Sequence, residues 1–164
     1  MSQNLRAAVI TVSDSAFQGR RRDESGPALS ELLQQNGWTV VHTQIVADDI
    51  SVIAATFREL SAREIEGIFT TGGTGISSRD VTPEATRKVI TRELPGLGEQ
   101  MRRAGQQSTP YAILSRSLAG ICGKSLLVNL PGSPRGAVDS LRSILDVLPH
   151  AVDLIAGRTE HKQA

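Results

Sequence analysis

Four short runs rich in β-branched residues, separated by stretches with helical spacing, constrain this chain more than any other feature. They are AAVITV (Ala7 to Val12), TVVHTQIV (Thr39 to Val46), IEGIFTT (Ile65 to Thr71) and SLLVNL (Ser125 to Leu130). Runs of this length and composition suit strands, and AAVITV has the unbroken apolar character of one covered on both faces. Leu29, Leu32 and Leu33 follow the first run at helical spacing, with Pro27 in the first turn and Gly37 at the end. Ile50, Ile53, Phe57 and Leu60 form one face after the second run. Thr82 and Pro83 read as the cap and first residue of a helix, PEATRKVITREL, that stops before Pro95. PGLGEQMRRAG and PYAILSRSLAG read as shorter helices, and Leu141, Ile144, Leu145 and Leu148 as the stripe of one long closing helix. This alternation predicts an α/β fold: a single-domain, three-layer αβα sandwich around a mostly parallel, Rossmann-like sheet. One domain over residues 1–164 is expected, with its core at about 6–156 and a flexible tail over 157–164.

In open α/β sheets a ligand sits at the carboxyl ends of the strands. Four loops converge there: SDS, ADD, TGGTG and PGSPRG. TTGGTGISSRD is no Walker A loop, because no Gly-Lys-Ser/Thr follows its glycines. It is no dinucleotide fingerprint either, lacking the third glycine and following the third strand. Gly72, Gly73 and Gly75 can adopt positive φ and gather N–H groups into an anion nest, with hydroxyls from Thr71 and Thr74. The alternative is a tight turn with no ligand. Asp48, Asp49 and Asp80 are the carboxylates at strand ends. Helix capping competes as a role for Asp49 most strongly, whereas Thr82 already serves as the cap near Asp80. Carboxylates beside a phosphate loop call for a cation between them, and Mg²⁺ uses one or two carboxylates plus substrate phosphates. In PGSPRG, Pro134 can open a helix whose free N–H groups bind an anion.

Charge and composition exclude other classes. The net charge of +1 and five aromatic residues give no footprint for nucleic acid. No apolar run approaches the roughly 20 residues of a membrane span, and no signal peptide precedes the first strand. With a single cysteine, Cys122, neither an intrachain disulfide nor a thiolate metal site is expected, and a cytoplasmic location is. His42, His150 and His161 have no ligand spacing. Arg20 to Arg22 read as a solvated loop, with a basic lip for an anionic substrate as the alternative.

Taken in order, VSDS, DESGPAL, TTGGTG with RDVTPEAT, PGLGEQMR, AILSR and LPGSP resemble the molybdopterin adenylyltransferases of molybdenum-cofactor biosynthesis and the similar G domain of gephyrin. The resemblance covers about Arg6 to Ala156. It implies Mg²⁺-dependent transfer of AMP from ATP to the terminal phosphate of molybdopterin, releasing pyrophosphate. It also implies that Asp80 and Asp48 are the essential, metal-holding aspartates. Ala47 stands where such proteins often have proline, and the following Asp49 is the alternative second site. Gly72, Gly73 and Gly75, with Thr71 and Thr74, would take phosphate or nucleotide. Ser13, Asp14, Pro131, Gly132 and Ser133 would line the same pocket, and Arg79 or Arg116 would meet the pterin phosphate. A homotrimer and a separate molybdate-insertion partner are further implications. A non-catalytic molybdopterin carrier of the same fold is the main rival, and a nicotinamide-dependent oxidoreductase a weaker one.

Overall fold

In the computed structural model, which describes residues 4–158, β1 (Leu5–Val12) lies between β2 (Trp38–Val46) and β3 (Gly67–Thr71), parallel to both. Because successive side chains of a strand point to opposite faces, β1 feeds two cores. Leu5, Ala7 and Val9 enter one, and Ala8, Ile10 and Val12 the other. The first core is closed by α2 (Ser25–Gln35), α5 (Pro95–Gly105), α6 (Pro134–Arg142) and α7 (Leu148–Ile155). The second is closed by α3 (Ile50–Ala62) and α4 (Thr82–Arg87). This is the three-layer sandwich. Phe57, Leu60, Ile53 and Phe69 are sealed from solvent, each stabilising the fold by about 1.5–3 kcal/mol relative to an exposed side chain.

The sheet has six strands in the order β2-β1-β3-β6-β5-β4. β6 (Ser125–Leu130) continues the parallel set, with Thr71 opposite Leu130. β5 (Ala119–Cys122) and β4 (Arg92–Glu93) extend the edge in antiparallel fashion. These two strands replace expected helix. α4 stops at Arg87, and main-chain bonds from Thr91 N–H to the Ile121 carbonyl (2.8 Å) and Leu94 N–H to the Ala119 carbonyl (2.8 Å) draw the chain onto the sheet. Pairing with a neighbouring strand outweighs the weak helical preference of Val89-Ile90-Thr91. PYAIL forms only a 3-10 turn (Pro110–Leu114), capped by the Thr109 hydroxyl.

The long closing helix is also divided. α6 ends at Arg142, a 3-10 turn spans Leu145–Val147, and α7 starts at Leu148. Pro149 in the first turn of α7 has no N–H and its ring blocks a continuous helix through residue 145. Leu141, Ile144, Leu145 and Leu148 still reach the same core. A four-residue helix, α1 (Asp14–Phe17), follows β1 and was not foreseen. No helix among the described residues is long and apolar enough to cross a membrane. Of the expected tail, residues 159–164 lie outside the described residues, as does His161.

Candidate functional site

At the carboxyl end of β3 the chain turns sharply through Gly72 (φ 101°) and Gly73 (φ 68°). A side chain at either position would collide with its surroundings. An added Cβ would lie 2.2 Å from the Val12 carbonyl oxygen at Gly72 and 2.2 Å from Thr82 Oγ1 at Gly73. Gly75, expected to share the positive φ, does not. It is small because Asp80 packs against it, with Oδ2 2.7 Å from where a Cβ would stand. The Gly72 N–H donates to the Leu130 carbonyl at 3.2 Å, so it is not a nest donor. The N–H groups of Gly73, Thr74 and Gly75 have no protein acceptor among the described residues.

Thr82 is not the cap of α4. Val81 holds the cap position without a side-chain bond, and Thr82 begins the helix. Its hydroxyl instead donates to the Gly72 carbonyl at 2.9 Å, and its N–H to the Gly73 carbonyl at 3.1 Å. The glycine turn is thereby fastened to α4. It is also fastened to the loop after β6, where Thr71 Oγ1 donates to the Pro131 carbonyl at 2.7 Å. A Cβ at Gly132 would come within 3.3 Å of Gly72 Cα, so the two backbones lie in contact.

The carboxylates sort by geometry. Asp49 caps α3, its side chain accepting from Val52 N–H at 2.9 Å. Asp48 turns the other way, in a reciprocal clasp with Asp14. Asp14 N–H donates to Asp48 Oδ2 at 2.8 Å, and Asp48 N–H donates to Asp14 Oδ1 at 2.9 Å. Asp80 Oδ2 accepts from Ser77 N–H at 2.9 Å, closing the turn before α4. Oδ1 of Asp48 and Oδ1 of Asp80 have no protein partner among the described residues.

A cavity of about 380 Å³ opens between these loops. Its wall includes Ser13, Asp48, Thr71, Gly72, Gly73, Asp80, Gly132 and Ser133, so eight of the anticipated residues converge. Ser13 and Ser133 each cap a helix, α1 and α6, through their hydroxyl oxygens. A second cavity, of about 530 Å³, adjoins the first across Gly132 and Ser133. Thr74, Gly75 and Pro131 line it, together with Ile76, Met101, Tyr111 and Leu114, which the sequence did not single out.

Asp14, Arg79 and Arg116 line neither cavity. Arg79 pairs with Asp14, Nη2 to Oδ2 at 2.5 Å. Arg116 is a brace, donating to the carbonyls of Gly75 (2.7 Å) and Asp80 (2.6 Å) and pairing with Glu84. Conversely, Arg21 and Arg22, read from the sequence as a solvated loop or a basic lip, are exposed and line the first cavity.

Burial pushes the Asp48 carboxyl above its usual range, and the neighbouring charges of Asp14 and Asp80 push the same way. The Arg79 guanidinium, followed by the Asp48 N–H, holds Asp14 below its usual range. Among the described residues, no three Asp, Glu, His or Cys side chains gather as a protein-built metal cage. Two carboxylates with free oxygens in the lining of one cavity are instead a donor set that suits Mg²⁺ completed by phosphates and water.

Fold and cavity define a class: an α/β sandwich with an acidic, glycine-floored crevice at the carboxyl edge of its parallel strands. The chain belongs to the family described as "Probable molybdopterin binding domain", which matches residues 8–150. The Helicobacter pylori J99 protein named molybdopterin adenylyltransferase is 40% identical over 158 residues, covering 94% of this chain and 90% of that one. The Escherichia coli K12 protein of the same name is 36% identical over 168 residues, covering 93% and 86%. The crystal structure of the molybdopterin biosynthesis enzyme MoaB from Thermus thermophilus superposes with a TM-score of 0.88 at 45% identity, covering 93% of this chain and 97% of that one. The family and fold expected from the sequence are both borne out.

Proposed function

We propose that this chain is a molybdopterin adenylyltransferase, an enzyme of molybdenum-cofactor biosynthesis that moves AMP from ATP to molybdopterin. The observation that carries the reading is that Asp48 and Asp80 both line one glycine-floored cavity, each with one free carboxylate oxygen. Relatives named for this activity match over nearly their whole length.

In the proposed reaction the terminal phosphate of molybdopterin attacks the α-phosphorus of ATP. A P–O bond forms there, the bond to the β-phosphate oxygen breaks, and pyrophosphate leaves with the electron pair. The nucleophile is already anionic, so no histidine or cysteine need activate it. The barrier is the approach of two anions, and the protein contributes positioning and charge compensation. The N–H groups of Gly73, Thr74 and Gly75 hold phosphate oxygens, with hydroxyls from Ser13 and Ser133, while the Thr71 hydroxyl, spent on the Pro131 carbonyl, keeps the two loops together. Asp14 keeps Asp48 in place through their reciprocal bonds. Asp48 and Asp80 would hold Mg²⁺, which supplies Lewis-acid neutralisation of the phosphate charges when bound. A cytoplasmic homotrimer that hands its product to a separate molybdate-insertion protein completes the proposal, on the strength of the family resemblance.

Purified protein mixed with molybdopterin, ATP and Mg²⁺ should release pyrophosphate and form adenylyl-molybdopterin. Asp80→Asn should abolish turnover while molybdopterin binding survives. Wild-type protein that binds molybdopterin and never adenylylates it would make the chain a carrier. Normal turnover by Asp80→Asn would remove that residue from the reaction.

A further inference from the structure

The first cavity is also lined by a charged loop, Arg21, Arg22, Asp23 and Glu24, that has no role in the reaction set out above. Arg21 and Arg22 line the same space as Asp48, Asp80 and Gly73. Both are exposed, and neither makes an ion pair or side-chain hydrogen bond among the described residues. Their lack of a partner is notable beside Asp23, which directly follows them. Asp23 is engaged elsewhere, its Oδ2 accepting from Thr11 Oγ1 at 2.7 Å and its Oδ1 from Gly26 N–H at 3.0 Å. The loop itself is held at both ends. Arg20 and Arg21 N–H groups both donate to the Ser15 carbonyl, at 2.9 and 3.2 Å, and Asp23 ties the far end to β1 and α2. The fold thus fixes the backbone of two adjacent arginines on a cavity wall and leaves both guanidinium groups free.

Guanidinium forks match phosphate oxygens in pairs, and two together suit an anion with more than one phosphate. Adenylyl transfer, on which this inference rests, needs a place for the β- and γ-phosphates away from the attacking phosphate. Those phosphates leave together as pyrophosphate, a small and densely charged polyanion. We infer that Arg21 and Arg22 form a pyrophosphate subsite, binding the β- and γ-phosphates of the nucleotide and then the departing product.

The same chemistry would fit the single phosphate of the pterin, so the test separates the two. Binding of Mg²⁺-pyrophosphate, of AMP and of molybdopterin is measured by calorimetry on the wild-type chain and on R21Q/R22Q. The subsite predicts that pyrophosphate affinity falls about 10- to 100-fold in the double variant, as expected for lost charge-assisted bonds. AMP and molybdopterin affinities should stay within about twofold, and R21K/R22K should recover some of the loss. Unchanged pyrophosphate binding overturns the inference, and so does a loss confined to molybdopterin. The adenylyltransferase reading fails separately: a wild-type chain that binds pyrophosphate through these arginines but never consumes ATP refutes that reading and leaves the anion subsite standing.

Discussion

Thr82→Val tests how firmly the glycine turn is held. The Thr82 side chain is sealed from solvent, and its hydroxyl is the only group among the described residues that donates to the Gly72 carbonyl. Valine keeps the branched shape, so the variant removes a hydrogen bond without opening a cavity. The bond contributes about 1 kcal/mol net, and leaving the Gly72 carbonyl unpaired costs about 1–2 kcal/mol more. A total of about 2–3 kcal/mol follows. With a urea dependence of about 2 kcal/mol per molar, the unfolding midpoint should fall by about 1–1.5 M at unchanged slope. Trp38 fluorescence reports the transition directly, because this single tryptophan is buried edge-on against Phe69, ring centres 5.3 Å apart. Thr82→Ser is the control, keeping the hydroxyl and losing one methyl for about 1 kcal/mol. Nucleotide affinity should fall in the valine variant and be largely retained in the serine variant. If valine proves no more destabilising than serine, the hydroxyl bond is not what fixes the turn.

Other positions make separable claims. Gly72→Ala places a Cβ against the Val12 backbone carbonyl at a φ that alanine rarely adopts, so about 3 kcal/mol of stability should be lost. Thermal unfolding should show this as a drop of about 6–12 °C. Asp49→Ala removes the cap of α3 and should cost about 1 kcal/mol by denaturant titration, with adenylyl transfer unaffected because Asp49 lines neither cavity. Glu84 is held below the usual carboxylate range by the Arg116 guanidinium. A depressed carboxylate stabilises the fold above the pH at which the unfolded residue ionises, and loses that contribution as pH falls through the lower folded value. Glu84→Gln should therefore be less stable than wild type at pH 7, by under about 1 kcal/mol for so exposed a pair, with the gap closing below about pH 4. A gap that widened in acid would contradict the assignment.

The main strands and the site loops were legible because they depend on local patterns. AAVITV and SLLVNL could be little but strands, and the four loops had to meet once those strands lay parallel. The edge was not legible. β4 has two residues, and it exists through main-chain bonds to β5, a partner about thirty residues away. Thr82 misled for a related reason. Thr-Pro at a helix start favours a cap, but the carbonyl left bare by the turn at Gly72 competes for the same hydroxyl and takes it. Asp48 and Asp49 could not be separated by spacing alone, since adjacent carboxylates look equivalent until the helix start assigns one to Val52 and turns the other toward Asp14. The arginine run left a solvated loop and a basic lip open, and exposure alone could not choose between them. Exposed charges usually mean solvent, and only the anchoring at Ser15 and Asp23 puts Arg21 and Arg22 on a cavity wall.

The stitching of the β3 and β6 loops has a consequence for how such a chain can vary. Gly72 against Gly132, with Thr71 bonded to Pro131, leaves no slack for an inserted residue in either loop. An added residue there would push touching backbones away from each other. The segment from Gln18 to Glu24 is different: its main-chain bonds run back to Asp14, Ser15 and Ala16, its far end is held by Asp23, and it is exposed at Arg22 between them. It can lengthen or shorten without disturbing the floor beneath it. Differences in chain length that retune the site therefore belong at this rim, where they would change what the crevice admits and leave its phosphate-facing base intact.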